Sequence, residues 1–326
     1  MKFREFGKTG FKTSEIGLGC WQLGSDWGEV SERTAESILD SAVTNGINFF
    51  DTADVYGAGR SESLIGKFLK KQREKIYVAT KVGRNNQLYP NNYTQEGVKR
   101  CIEGSLKRLG VEALDLVQLH CIPSKEMKEG EIFEWLRDLK KNGLIKAFGA
   151  SVESMEEALI CMEQEDLCSL QIIFNVFRQK PVEEVLQIAQ AKKVGIIVRL
   201  PFASGLLTGK FTSHTTFDIK DHRNYNRDGQ YFNVGETFAG IPFEKGIELI
   251  DILRGLTPVG ISLTELALRW ILDFDSISVV IPGATRPEQV KQNADCPNVI
   301  PLSLDLHNQL KKFYEQEVKD LIRGSY

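Results

Sequence analysis

Eight short apolar runs recur along this chain, and amphipathic segments of helical period separate them. The runs are IGLGC (16–20), INFF (47–50), IYVAT (76–80), LDLVQL (114–119), LIKAFGA (144–150), LQIIF (170–174), GIIVRL (195–200) and ISVVIPG (277–283). Helices are expected over 31–46, 62–71, 94–110, 131–143, 153–166 and 181–193, then near 242–254, 261–273, 287–293 and 303–322. Ser31 and Thr94 are suited to cap the first and third of these, and Gly46 and Gly110 to end them. Strands apolar on both faces, joined through helices, imply a parallel sheet covered by helices. Eight such units favour a (β/α)8 TIM barrel over a doubly wound sheet. The opening KFREFG-KTG-FKTSEI reads as an N-terminal β-hairpin with Gly10 in its turn, and extra helices follow the seventh and eighth strands. No composition break divides residues 1–326, so a single domain is expected. One long irregular stretch, 209–240, has the length of a functional lid, and equally of a surface loop without a role.

Composition narrows the classes of function. The chain is 42% hydrophobic and 26% charged, with a formal net charge of −3 and no block of basic residues, which argues against nucleic acid as a partner. No window approaches an uncharged span of bilayer length, and MKFREFGKTG has no apolar core of signal-peptide length; no membrane association and a cytoplasmic location are expected. The six cysteines show no CxxC spacing and the four histidines no HxH or HExxH set, so no metal site is expected.

In a barrel of this kind the site lies at the C-terminal ends of the strands. Asp51 stands after the second strand, Lys81 after the third and His120 after the fourth. Each alone has a bland reading: a loop cap, a solvated lysine, a half-buried histidine. Together they bring an acid, an ammonium and an imidazole to one rim, where Asp51 and Lys81 can pair. Tyr56 can fold back from the same loop, and an ammonium beside a phenol favours its anion, so a depressed pKa is expected for Tyr56. Such a tyrosine can pass a proton to a developing alkoxide, with His120 donating a hydrogen bond to the same oxygen. No side chain here supplies a hydride, so a cofactor must. The GxGxxG fingerprint is absent. SGLLTGK (204–210) and IPGATRPEQ (281–289) offer backbone N–H groups after the last two strands, where this fold places phosphates.

The stretches GLGCWQLG, GINFFDTADVYG, VATKVG, DLVQLH, FGAS, FASGLLTGK and VIPGATRPEQVKQN occur in order at barrel-compatible spacing. In these the chain resembles the aldo-keto reductase superfamily over essentially its whole length, in its bacterial and potassium-channel-β-like branch. The resemblance implies a tetrad of Asp51, Tyr56, Lys81 and His120. Tyr56 would be the general acid in an NADPH-dependent reduction of aldehydes or ketones to alcohols, with NADH possible. It implies cofactor contacts at Gly19, Trp21, Ser151, Gln171, Arg199, Gly205, Leu206, Lys210, Gly283, Thr285, Arg286, Gln289 and Asn293, and a substrate pocket with Trp21, Trp27 and Asp54. Val152 follows Ser151 where the family often has Asn, which makes Asn175 the stand-in for that contact. Arg199 replaces a tyrosine that commonly stacks on the nicotinamide, and its charge is expected to disfavour the oxidised cofactor. Gln289 stands in the place of the arginine that grips the 2′-phosphate in mammalian-type members, leaving Arg286 for that contact. The pocket's mix of Trp and Asp suggests a polyol or sugar-derived carbonyl as the small-molecule substrate; oligomeric state is open. A second class of function is an NADPH-binding regulatory or redox-sensing subunit with little turnover, as channel-β relatives illustrate.

Overall fold

The computed structural model describes residues 1–24 and 30–326. Among the described residues there are ten strands: β1 (Phe3–Phe6), β2 (Phe11–Ser14), β3 (Leu18–Gly19), β4 (Phe49–Asp51), β5 (Tyr77–Val82), β6 (Leu114–His120), β7 (Ile145–Ser151), β8 (Ser169–Ile173), β9 (Gly195–Arg199) and β10 (Ile277–Val280). β1 and β2 form the antiparallel hairpin, with Phe6 opposite Phe11. The other eight run parallel in sequence order from β3 to β10. The sheet then closes on itself: Ile16 bridges Val280, Gly19 bridges Gly283, and Gly17 N donates to Val280 O at 2.8 Å. This is the (β/α)8 barrel, with the hairpin added.

Helices pack outside it. Glu32–Thr44 begins where Ser31 accepts from Thr34 N, and Gly46 follows it with φ +80. Gln95–Leu109 runs from the Thr94 cap to Gly110 in the left-handed region. Both ends follow the expected cap chemistry. Three details differ from the periodic reading. A short helix, Ser124–Glu129, precedes Glu131–Lys141. The expected 181–193 helix is two, Pro181–Glu184 and Leu186–Ala191, parted at Val185. The last helix ends at Phe313, passes into a π-turn at Tyr314–Val318 and closes in a 3-10 turn.

Two apolar layers follow from this arrangement. The larger fills the space between barrel and helices. The smaller lies inside the barrel, where Phe49, Ala79, Leu116, Ala147, Ile197 and Val279 meet Phe6 of the hairpin.

Candidate active site

Strand side chains alternate between faces, so a residue two positions on shares the same face one layer higher. Above Phe49 stands Asp51, above Ala79 Lys81, above Leu116 Gln118 and then His120, and above Ile197 Arg199. The interior thus changes from apolar to polar over one step in each strand. All of these groups are buried, Lys81 to 1% exposure.

Buried charges need partners. Lys81 Nζ has three: Asp51 Oδ1 at 2.5 Å, Thr52 O at 2.9 Å and Tyr56 Oη at 3.1 Å. Asp51 Oδ2 accepts from Gln171 Nε2 at 2.7 Å and Gln118 Nε2 at 3.2 Å. The loop that returns Tyr56 to the rim is tied down by Thr52 Oγ1 donating to Ser61 Oγ, which donates to Cys20 O, both at 2.8 Å. It turns at Gly57, where φ is +57 and a Cβ would meet Gly24 O at 2.4 Å, a contact only glycine avoids. Trp21 stacks on Tyr56 at 5.8 Å, and His120 meets its edge at 5.8 Å.

Burial dominates the electrostatics. It pushes the Tyr56 phenol up to about 12, with Asp51 adding to the rise and Lys81 opposing it. The depression expected from the lysine alone is therefore outweighed, and Tyr56 is held in its proton-donating form. Burial would lower Lys81, yet Asp51 and Tyr56 together hold it above its ordinary value and charged. Burial, then Lys81, Arg84 and Arg199, hold His120 well below the usual histidine range, so its imidazole is neutral near pH 7.

A cavity of about 450 Å³ opens over this layer. Asp51, Tyr56 and His120 line it, and Lys81 lies beneath them. Of the other residues singled out in the sequence, Gly19, Trp21, Ser151, Gln171, Arg199, Gly205, Lys210, Gly283, Thr285, Gln289 and Asn293 also line it. Leu206 does not; its side chain is turned toward Gly246 in the helix Phe243–Leu256. Arg286 stands exposed outside it, at the N-cap of the helix Pro287–Asp295. Gln289 turns back to accept from Thr285 N at 2.8 Å and Arg286 N at 3.1 Å, capping that helix. Asp54 points away from the cavity and accepts from Asn85 Nδ2 at 3.2 Å. Trp27 lies outside the described residues. Asn175 faces elsewhere, donating to Leu200 O and accepting from Phe177 N.

Arg199 differs most from expectation. It forms a buried ion pair with Glu236 and donates to Val152 O at 2.8 Å. Glu236 neutralises it, which removes the uncompensated charge on which discrimination against an oxidised ring was to rest. Cys121, Glu153 and Glu236 place their ligand-type atoms within 4.8 Å of one another, but Arg84 and Arg199 stand against the two carboxylates.

Several lining residues escaped the sequence reading. Gln118, which bonds Asp51 without lining the cavity, was legible two positions before His120 on the same strand face. Arg84 stands just past β5. Glu236, Phe232 and Arg223 come from the 209–240 stretch, which folds over the cavity. There Asn226 Oδ1 accepts from both Tyr231 N and Phe232 N at 2.9 Å. At the far end Lys210 lines the cavity together with the left-handed pair Ser204 and Gly205. Such a cluster of ammonium, turn N–H groups and a helix N-terminus suits an anion. No helix among the described residues is long and apolar enough to cross a membrane.

Comparison with known proteins agrees with this fold. Residues 15–315 match the model of the aldo/keto reductase family. The chain is 32% identical to the aldo-keto reductase YhdN of Bacillus subtilis over 299 residues, 89% of this chain and 87% of that one. It is 28% identical to the NADH-specific methylglyoxal reductase of Escherichia coli, over 92% and 94% of the two chains. The solved glycerol dehydrogenase AKR11B4 of Gluconobacter oxydans superposes with a TM-score of 0.80 at 28% identity, covering 99% of this chain and 98% of that one. With a closed barrel, a buried rim of this composition and a family match across most of its length, the chain belongs to the aldo/keto reductase family.

Proposed function

We propose that this protein reduces an aldehyde or ketone to an alcohol, with Tyr56 as the proton donor and NADPH as the cofactor. The observation that carries the reading is Lys81 Nζ, bonded at once to Asp51 and to Tyr56 on the cavity floor. A reduced nicotinamide dinucleotide, when bound, supplies the hydride that no side chain here can give. Its phosphates suit Gly205 and Lys210, its adenosine end Thr285, Gln292 and Asn293, and its carboxamide Ser151 and Gln171.

The chain's own residues do the proton chemistry. Neutral His120 donates a hydrogen bond to the substrate oxygen and orients it. Tyr56 gives its proton to that oxygen as negative charge develops there. The phenolate left behind is stabilised by Lys81, whose charge Asp51 balances, and solvent returns the proton. In the reverse direction the same phenolate is the base.

Following NADPH consumption over a panel of aldehydes and ketones tests this. Tyr56→Phe is expected to lose about 10²-fold or more in turnover while still binding NADPH, since a positioned acid contributes about 10²–10⁴. NADPH bound but never consumed by wild type would overturn the reading in favour of a regulatory subunit. Arg286 is the residue proposed to meet the 2′-phosphate. Arg286→Ala should cut the preference for NADPH over NADH about tenfold, equal to ~1.4 kcal/mol; an unchanged ratio would move that selection elsewhere. The NADH-specific relative shows why this measurement is informative within the family.

A further inference from the structure

Arg84 and Phe232 stand on one wall of the active-site cavity. A second cavity, of about 540 Å³, lies on the far side, and Arg84 and Phe232 wall both. The Arg84 guanidinium stands 5.8 Å from the Phe232 ring and 6.0 Å from that of Tyr89. Beyond it the second cavity is lined by Tyr89, Glu153, Tyr231 and Asn233.

Two properties of this lining limit what it can take. The first is open aromatic surface. Tyr231 is 75% exposed and Tyr89 40%, two large rings at the mouth of one cavity. Aromatic area left uncovered around polar groups is a frequent mark of a binding site. The second is charge of both signs on one lining. Glu153 lines the cavity with Arg84 3.7 Å away. Asp228 also lines the cavity and is held by Arg323 at 2.7 Å. An anionic ligand would meet Glu153 and Asp228, and a cationic one would meet Arg84. A neutral group with hydroxyls around its edge and C–H bonds on its faces meets neither objection. Its faces can lie on the tyrosines, and its hydroxyls can donate to Glu153 and accept from Arg84. A pyranose ring has this chemistry.

We infer that the second cavity is a sugar-binding subsite, and that the substrate is a glycoside-sized polyhydroxylated carbonyl compound. Its reacting carbonyl sits at Tyr56 and His120, and its pyranose tail passes Arg84 and Phe232. The subsite itself stands on the lining just described; that it serves the substrate rests on the reductase reading.

The probe is methyl β-cellobioside, which has no free carbonyl, titrated calorimetrically into the full chain with NADPH. Wild type is expected to bind it. Tyr231→Ala and Tyr89→Ala should each weaken binding at least fivefold, leaving kcat/KM for glyceraldehyde within twofold of wild type. Both side chains are exposed enough to be truncated without unfolding the barrel, and circular dichroism checks this. The inference is overturned if wild type does not bind the glycoside, if neither truncation weakens it, or if glyceraldehyde reduction falls in parallel. It is overturned as well if choline or gluconate binds there more tightly. Reduction of glyceraldehyde without glycoside binding sinks this inference alone. Glycoside binding with no carbonyl reduced sinks the reductase reading and leaves the subsite standing.

Discussion

Asp51 ends β4 and Asp54 stands three residues on, in the loop that follows, and their surroundings differ in kind. Asp51 accepts hydrogen bonds from Lys81, Gln118 and Gln171. Asp54 accepts from Asn85 at its side chain, and burial pushes its carboxyl up to about 6. A carboxyl raised in the fold is a stabilising influence only while protonated. Between about pH 4 and 6 the folded chain holds a proton that the unfolded chain has lost, so stability falls as pH rises through that window. Asp54→Asn should therefore raise stability at pH 8 by roughly 1–2 kcal/mol, with the gain gone below about pH 4. Thermal unfolding at the two pH values measures it, and turnover should stay within twofold; a crippled enzyme would return Asp54 to the site. Tyr56 gives a second pH statement. With its pKa pushed up to about 12, the donor form persists throughout the neutral range, and reduction should show no loss from phenol ionisation up to about pH 10. Asp51, Lys81 and His120 were legible because strand ends are readable from periodicity. The protonation state of Tyr56 was not, because it depends on how much of the chain covers it, and no local spacing encodes that.

The stretch 209–240 shows what element-level reading can and cannot reach. Its length marked it as a functional lid or a loop without a role, and the side chains it brings over the cavity are what favour the first. Glu236 pairs with Arg199, 37 residues away. Ser204 Oγ donates to Glu236 O at 3.1 Å and accepts from Phe238 N at 3.1 Å, which fixes the segment against the end of β9. Contacts across such separations carry no periodic signal. The break at Val185 was hidden for the opposite reason: Val182, Val185, Leu186 and Ala189 continue one apolar face through it. The buried pair yields a test at this scale. Removing one partner leaves the other charge without compensation, so Glu236→Gln should destabilise the fold by about 3–5 kcal/mol. Arg199→Met combined with Glu236→Leu removes both charges and should recover most of that loss. Urea unfolding of the single and double variants decides it. A single variant as stable as wild type would show that water reaches the pair.

Across the whole molecule, the barrel separates a chemical end from a structural one, and the hairpin makes the separation testable. Arg4 donates from Nη1 to Phe274 O at 2.9 Å and Ile277 O at 2.8 Å, from Nη2 to Leu272 O at 2.6 Å, and from Nε to Glu15 at 2.7 Å. Phe6, fully buried, lies 5.4 Å from Phe49, and Phe11 stacks on Tyr77 at 4.4 Å. The hairpin thus plugs the end where the strands begin. Between it and the rim lies the apolar layer of Phe49, Ala79, Leu116 and Ile197. In this fold the N-terminal face serves stability and the C-terminal face serves chemistry. Phe6→Ala should cost about 3–5 kcal/mol, as expected for deleting a buried ring and leaving its cavity. The folded fraction should keep kcat and KM within twofold, since Asp51 and Lys81 hold each other from the other side of that layer. Unfolding midpoints and steady-state kinetics on one preparation read both effects. Unchanged stability would mean that the barrel closes its floor without the plug. A shifted KM would mean instead that the interior layer transmits strain from one end of the barrel to the other.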